Sequence, residues 1–432
     1  MKRSLFWLLG LLPGLIALLF LRPADVATVG SVLNLLGRLT GIIGLALMLV
    51  AALMACRVPG FDRPFGGLTK LWLSHHRIGG AAFLLLLAHP LLLALAAVEV
   101  SIDAAVATLF PPTFNLAAWL GWAALLLTML FMAPSFALFG EVAYQRWKWL
   151  HRVSGVALLL ALGHALLLVR TIPAPWESLI WLTLTLLAVA ALGYRFLFSR
   201  LWGRRPHRVE AVAKRANNVV ELSLRPVQGA PLHHLAGQFV YLTPHDPALA
   251  AGRGEEHPYT ISSAPGEPLL RIAIKDLGDA SRAIQQVAVG SRIDVEGPYG
   301  DFFPADAAGV PALWIAGGIG ITPFLGQLRD LARRGAAADA VLIYCVQDES
   351  RALFLDELQT LAAQINGFRL VMHYFYREGP LDAAFATRHC ADLPSRHGWI
   401  CGPGPLLKCA KSILVAAGMP ARRITTEEFS LL

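Results

Sequence analysis

Between Leu5 and Phe198 the sequence offers six apolar stretches, near Leu5–Leu21, Val29–Cys56, Ile78–Val98, Phe114–Phe136, Val153–Val169 and Leu179–Phe198. Each is long enough to cross a hydrocarbon layer about 30 Å thick. Nothing else in the chain constrains its fold as strongly, because backbone polar groups in lipid must be satisfied by helices or closed barrels. The 432 residues are 56% hydrophobic and 15% charged, and the stretch up to Phe198 is poor in charge while the remainder has the mixed composition of a soluble domain. The sequence therefore reads as a membrane half followed by a soluble half.

The basic residues orient the membrane half. Lys2 and Arg3, then Arg57, Arg63 and Lys70, then Arg146 and Lys148, then Arg195, Arg200, Arg204 and Arg205 fall on one side of the six spans. By the positive-inside rule this predicts a multi-pass protein of the inner (cytoplasmic) membrane, with its N-terminus and soluble half in the cytoplasm. The net charge of +8 sits mostly in these clusters, which argues against a nucleic-acid partner. The first span reads as a retained helix, since "RPADVAT" is a poor cleavage site. Cys56, Cys345, Cys390, Cys401 and Cys409 form no CxxC pair, so neither a disulfide framework nor a zinc site is expected.

Two of the spans share a grammar: "HRIGGAAFLLLLAH" from His76 to His89 and "HRVSGVALLLALGH" from His151 to His164. Thirteen residues rise about 20 Å in a helix, so each segment carries one histidine near each membrane face. The topology sets His76 level with His151, and His89 level with His164. Two levels with two imidazoles each match the axial-ligand needs of two stacked b-type haems. Gly79, Gly80 and Gly155 would admit a flat macrocycle. Thirteen steps leave the two rings about 140° out of phase on an ideal helix. His75, fourteen residues before His89, is a rival to His76; the shared spacing favours His76 and requires helix distortion.

This bundle, with paired histidines on the third and fifth spans, resembles the ferric reductase and NADPH oxidase family. The resemblance implies that Arg38, in "GRLTG", lies near the outer haem and serves a haem propionate or the acceptor site.

After the basic linker "SRLWGRRPHR", short β-patterned runs separated by Gly and Pro predict an antiparallel barrel. From Pro311 strands alternate with helices, which predicts a parallel, doubly wound α/β sheet. "HPYTISSAP", His257 to Pro265, resembles the flavin-binding strand of the ferredoxin reductase superfamily. By that resemblance Tyr259 packs on the isoalloxazine, Thr260 offers its hydroxyl to it, and His257 faces the FAD phosphates. Pro258, Ser262 and Ser263 complete the motif. In "IKDLGDASRAI" a helix starting near Ser281, after Gly278, suits a pyrophosphate, and Lys275 supplies a countercharge.

"WIAGGIGITPF" places a glycine turn, Gly317, Gly318 and Gly320, directly after a strand, with Thr322 as expected N-cap and Pro323 at the first helical position. With "CGPGPL", which holds Cys401, Gly402 and Pro403, the order of motifs predicts nicotinamide dinucleotide binding. The resemblance puts Cys401 near the nicotinamide and Phe429, in the final "EEFSLL", over the flavin. Arg351, in "YCVQDESRALF", is the candidate for a 2′-phosphate, although Gln347, Asp348 and Glu349 precede it; NADPH is favoured slightly over NADH.

The expected architecture is thus a six-helix transmembrane di-haem domain over 1–200, an FAD-binding antiparallel β-barrel over 207–305 and a doubly wound NAD(P)H-binding α/β domain over 310–432. The expected function is electron transfer from cytoplasmic NAD(P)H through FAD and two haems b to oxygen or a ferric chelate across the lipid bilayer. Delivery to a periplasmic partner protein is the alternative.

Overall fold

The computed structural model describes residues 4–135, 144–168, 176–304 and 309–428. The chain divides into two compact units, one made of residues up to 57 with 70–201, the other of 58–69 with 202–432.

In the first unit the helices are α1 (Ser4–Leu18), α2 (Val29–Met54), α3 (Leu68–Ala97), α4 (Ile102–Leu109), α5 (Leu116–Met132), α6 (Tyr144–His151), α7 (Ser154–Leu168) and α8 (Trp176–Gly193). A π-helical turn, Tyr194–Phe198, and the single turn α9 (Ser199–Leu201) follow. Among the described residues five helical stretches are long and apolar enough to cross a membrane; α1, with 15 residues, is shorter. Two features depart from expectation. Helix α3 begins ten residues before Ile78, so its first histidines lie inside the helix. The histidine segment of the fifth span is broken at Arg152 and Val153, between α6 and α7.

Small residues set the packing, as they must where lipid removes the hydrophobic drive between helices. Gly14 of α1 lets Ile43 approach, where a Cβ would fall 2.5 Å from its Cγ1. Gly37, Gly41 and Gly44 line the side of α2 that meets Leu93, His89 and Leu86 of α3. On α5, Gly121 meets His164 of α7 and lies between buried Ala117 and Ala124. Positions 37, 41, 44 and 117, 121, 124 share one spacing.

The second unit opens with six strands: β1 (Arg204–Ala216), β2 (Val219–Pro226), β3 (Phe239–Pro244), β4 (His257–Thr260), β5 (Leu270–Lys275) and β6 (Arg292–Tyr299), with the short helix α10 (Asp279–Ile284). They form an antiparallel sheet in the order β4-β3-β6-β1-β2-β5. An isolated bridge from Ile261 to Ile272 brings its two ends together. Alternate residues, including Leu222, Leu224, Val240, Leu242, Ile272 and Ile274, fill the interior.

Strands β7 (Ala312–Gly317), β8 (Ala340–Val346), β9 (Phe368–Tyr374), β10 (His397–Gly402) and β11 (Ile424–Glu428) then form a parallel sheet in the order β11-β10-β7-β8-β9. The helices here are α11 (Thr322–Arg334), α12 (Leu355–Gln364), α13 (Phe375–Glu378), α14 (Ala383–His389) and α15 (Gly404–Ala416). Trp314, Ala316, Leu342 and Tyr344 pack with α11 and α12, whereas Leu313, Ile315, Val341 and Ile343 pack with α14 and α15. Period-two alternation thus sends neighbouring side chains into cores on opposite faces. Strand order reverses between β7 and β10, and such a switch point opens a crevice at the carboxyl ends of the strands.

Segment 58–69 belongs to this second unit although it joins two helices of the first. Asp62, 2% exposed, accepts a 2.8 Å hydrogen bond from the backbone N–H of Gly300.

Candidate functional site

The four histidines meet in two pairs. The ring centroids of His89 and His164 are 6.2 Å apart with the rings at 79°; those of His75 and His151 are 6.1 Å apart at 69°. The partner of His151 is therefore His75, and His76, exposed on α3, is not in the pair expected of it. Fourteen residues keep His75 and His89 near one face of the straight α3, and the break before Ser154 absorbs the thirteen-residue mismatch on the other side.

The structure also says which nitrogen each ring offers. His89 Nδ1 lies 2.7 Å from the Gly37 carbonyl, His164 Nδ1 2.7 Å from the Ala117 carbonyl and His75 Nδ1 2.8 Å from the Ala51 carbonyl. A carbonyl only accepts, so each Nδ1 carries the proton and each Nε2 keeps its lone pair for a metal. Gly41 and Gly121 stand four residues after Gly37 and Ala117, and a Cβ on either would lie 2.7 Å from the imidazole Nδ1. His151 differs: its Nδ1 is buried without a hydrogen-bond partner, and its ring stacks on Trp147 at 4.9 Å and meets Phe131 edge-on at 5.2 Å. Two nitrogens bound to one metal at about 2 Å each place imidazole centroids roughly 6 Å apart, so both pairs fit a shared iron. Gly79 and Gly80 face open space, as a macrocycle needs, whereas Gly155 packs on Leu192.

Arg38 follows Gly37 directly. Its guanidinium pairs with Asp25 at 2.6 Å, while its Nε is buried without a partner. Asp25 also accepts the Arg22 N–H at 2.9 Å. That backbone bond, then the bond from Arg38, hold the Asp25 carboxyl below its ordinary value.

In the second unit a cavity of about 880 Å³ lies at the switch point. Gly317 and Gly318 line one side and Gly402 and Pro403 the other, with Lys275 the only lysine, arginine or carboxylate in the wall among the described residues. Side chains are crowded out at two of the glycines, Gly317 against Leu406 and Pro403 and Gly320 against the Cys401 carbonyl, and Gly402 lies tightly against Gly317. Gly318, at φ +54°, faces open space. Thr322 is not the N-cap. A 3-10 turn, Gly318–Ile321, precedes the helix, so Ile321 caps it, and the Thr322 hydroxyl donates to the Ile319 carbonyl at 3.0 Å with Pro323 next in the first turn. Cys401 is completely buried in the core with Trp399 and Ala316, burial pushes its thiol well up, and it does not line the cavity. Arg351 also stays out of the wall, paired with Asp348 at 3.5 Å and lying over the Tyr376 ring at 5.8 Å. Sequence reasoning missed His373, Phe375, Tyr376 and Cys409, which do line it; the strand end "MHYFY" was the signal for the first three, and Cys409, on α15, had none.

On β4, His257 and Pro258 are half-buried, Tyr259 packs against the barrel core, which pushes its phenol up, and Thr260 is buried. His257 Nε2 lies 3.1 Å from Glu255. Ser262 and Ser263 are turned inward: the Ser262 hydroxyl donates to Glu221 at 2.8 Å and that of Ser263 accepts the Arg271 N–H at 3.1 Å. The Ser281 hydroxyl closes a local turn with Leu277 N and the Gly278 carbonyl, and Gly278 itself faces open space. Phe429 lies outside the described residues.

Comparison with known proteins divides the chain along these lines. Residues 40–162 match the ferric reductase like transmembrane component, 205–302 an FAD-binding domain and 314–412 an oxidoreductase NAD-binding domain. An NADPH oxidoreductase of Mycobacterium tuberculosis (strain ATCC 25618 / H37Rv) is 26% identical over 55% of this chain and 64% of its own length. The ferredoxin reductase component of a 3-ketosteroid-9-alpha-monooxygenase from Mycolicibacterium smegmatis (strain ATCC 700084 / mc(2)155) is 31% identical over 46% of this chain and 57% of its own. The chain thus spans less than two thirds of these relatives' length. The solved FAD/NAD-binding domain of nitric oxide dioxygenase from Vibrio cholerae O1 biovar El Tor aligns with 52% of this chain and 98% of that one at 24% identity and a TM-score of 0.47. A ferric reductase-like membrane component joined to FAD- and NAD-binding domains gives this chain the architecture of the ferric reductase and NADPH oxidase family, with a dehydrogenase half of the ferredoxin reductase type.

Proposed function

We propose that this chain carries electrons from NAD(P)H on the cytoplasmic side of the inner membrane, through FAD and two b-type haems, to oxygen or a ferric chelate on the far side. When bound, FAD supplies the conversion of a hydride into single electrons, and paired haems supply a path through the bilayer. The observation that carries the reading is the two imidazole pairs at 6.1 and 6.2 Å, three of whose rings are oriented by backbone carbonyls. His75 and His151 hold one haem, and His89 and His164 the other. The fourteen residues from His75 to His89 separate the two levels by about 21 Å.

The remaining parts follow the same reading. Six spans over 1–200 form the haem domain, a barrel over 207–305 takes FAD, and a doubly wound domain over 310–432 takes the dinucleotide. Tyr259 and Thr260 present a ring and a hydroxyl to the flavin from one strand. Gly318 gives the dinucleotide phosphates close access to backbone at the start of α11. Arg38, beside the His89 ligand through Gly37, supplies positive charge for a haem propionate or an anionic acceptor. With Arg351 held by Asp348 and only Lys275 charged in the cavity wall, the site offers little to a 2′-phosphate, so NADH is served at least as well as NADPH.

The test is anaerobic reduction of the purified, FAD-loaded protein by NADH and by NADPH, followed optically. Reduced haem bands with each pair's stoichiometry are expected. Reoxidation is then compared for dissolved oxygen, with superoxide as product, and for an oxygen-free ferric chelate. A protein that binds no haem overturns the reading.

A further inference from the structure

A buried charge cluster lies at the joint between the residues that follow β4 and the helix that follows the glycine turn. Arg329, 5% exposed, sits in the middle of α11. Its Nη1 donates to Glu221 at 3.0 Å and to the Ser262 carbonyl at 2.7 Å; its Nε and Nη2 donate to Glu357 of α12 at 2.6 and 2.8 Å. Glu221, 2% exposed on β2, also accepts from the Ser262 hydroxyl at 2.8 Å and from Arg215 at 2.6 Å. Ser262 is therefore gripped by both its hydroxyl and its carbonyl. One turn earlier on α11, Gly326 brings helix backbone against the same strand: a Cβ there would lie 3.2 Å from the Ile261 carbonyl and 3.3 Å from that of Ser263.

Ser262 is two residues from Thr260, and Arg329 is seven residues, about 10 Å of helix, from Thr322 at the glycine turn. One short rigid element thus connects the phosphate end of the dinucleotide cavity to the strand expected to carry the flavin. Burying Arg329, Glu221 and the Ser262 hydroxyl is costly unless each is paired, and a fully paired network specifies one geometry. Burial pushes the Glu221 carboxyl up, but Arg329, Arg215 and Ser262 outweigh it and hold the carboxyl below its ordinary value.

We propose that Arg329 and Glu221 are positioning residues for hydride transfer, clamping the Tyr259–Ser263 strand to α11 so that flavin and nicotinamide meet at a fixed offset. The proposal rests on the NAD(P)H-to-FAD reading above. A purely structural joint would affect folding and flavin retention alone. A positioning joint also changes the rate in protein that has kept its flavin, since misplacement by about 1 Å costs on the order of a hundredfold.

The test uses the full chain, FAD-loaded and anaerobic, with flavin reduction by NADH followed by stopped flow and normalised to bound flavin. Glu221→Gln keeps the shape and removes the charge. Arg329→Lys keeps the charge but not the fork that spans three acceptors. Glu357→Gln touches only the half-exposed end of the network and keeps the test usable if a deeper variant folds poorly. The expected result is reduction per bound flavin slowed about tenfold or more in the first two variants and less in the third, with a larger isotope effect from 4-deuterated NADH and dinucleotide Kd within about threefold. Unchanged rates per bound flavin, with or without flavin loss, overturn the clamp. Wild-type flavin reduced by neither dinucleotide overturns the functional reading beneath it.

Discussion

At the residue scale, the choice between two adjacent histidines decides which ring faces His151. His75 faces His151 and donates to the Ala51 carbonyl, whereas His76 is exposed. His75→Ala should remove one haem and leave flavin reduction intact, while His76→Ala should keep both; pyridine haemochrome content per flavin measures this. Asp25 makes a separate point. Held ionised by the Arg22 N–H and by Arg38, it cancels part of the positive charge beside the outer pair. Asp25→Asn should speed reoxidation by an anionic ferric chelate several-fold at low salt, less at high salt, and scarcely alter reoxidation by oxygen. Stopped-flow reoxidation across an ionic-strength series checks it; equal changes with both acceptors would deny the charge effect.

At the scale of elements, α2 and α5 perform the same service for α3 and α7. Each gives a carbonyl to the histidine of one pair, Gly37 to His89 and Ala117 to His164, and, four residues on, a glycine that makes room for the ring; α2 gives a second, from Ala51, to His75. Gly41→Ala and Gly121→Ala should each disturb the outer site alone, seen as a shift or loss of one haem signal in potentiometric titration, with the inner one unmoved. The paired histidine segments were legible because their spacing is local. The service was not, because a carbonyl leaves no trace in sequence; only the shared small-residue spacing hinted at it. The alternation of strands and helices after Pro311 and the glycine turn were legible for the same local reason. The pairing of His75 with His151 was obscured by the early start of α3, where "LTKLWLS" is helical despite its polar residues. Thr322 and Cys401 were misread because tertiary packing, a 3-10 turn and a core position respectively, overrode the motif. Glu221 and Arg329, 108 positions apart, carry no joint signature.

At the scale of the whole molecule, the buried network gives the dehydrogenase half an acid limit. The folded carboxyl of Glu221 lies below its ordinary 4.5, so its contribution is full above that value and is lost as pH falls through the lower folded one. Flavin release from the full chain, read by fluorescence, should therefore steepen below about pH 4.5. Glu221→Gln leaves Arg329 paired with Glu357 alone and should lose on the order of 1–3 kcal/mol at neutral pH, with a shallower acid limb. The segment 58–69 bears on how such a chain is made. Asp62 finds its backbone partner, Gly300, only 238 positions later. At about 5–20 residues per second a ribosome needs roughly 10–50 s to cover that distance. Helices α2 and α3 thus leave the translocon joined by a hairpin whose acidic anchor has nothing to hold, and the hairpin must wait, hydrated, for a barrel that has not yet been synthesised.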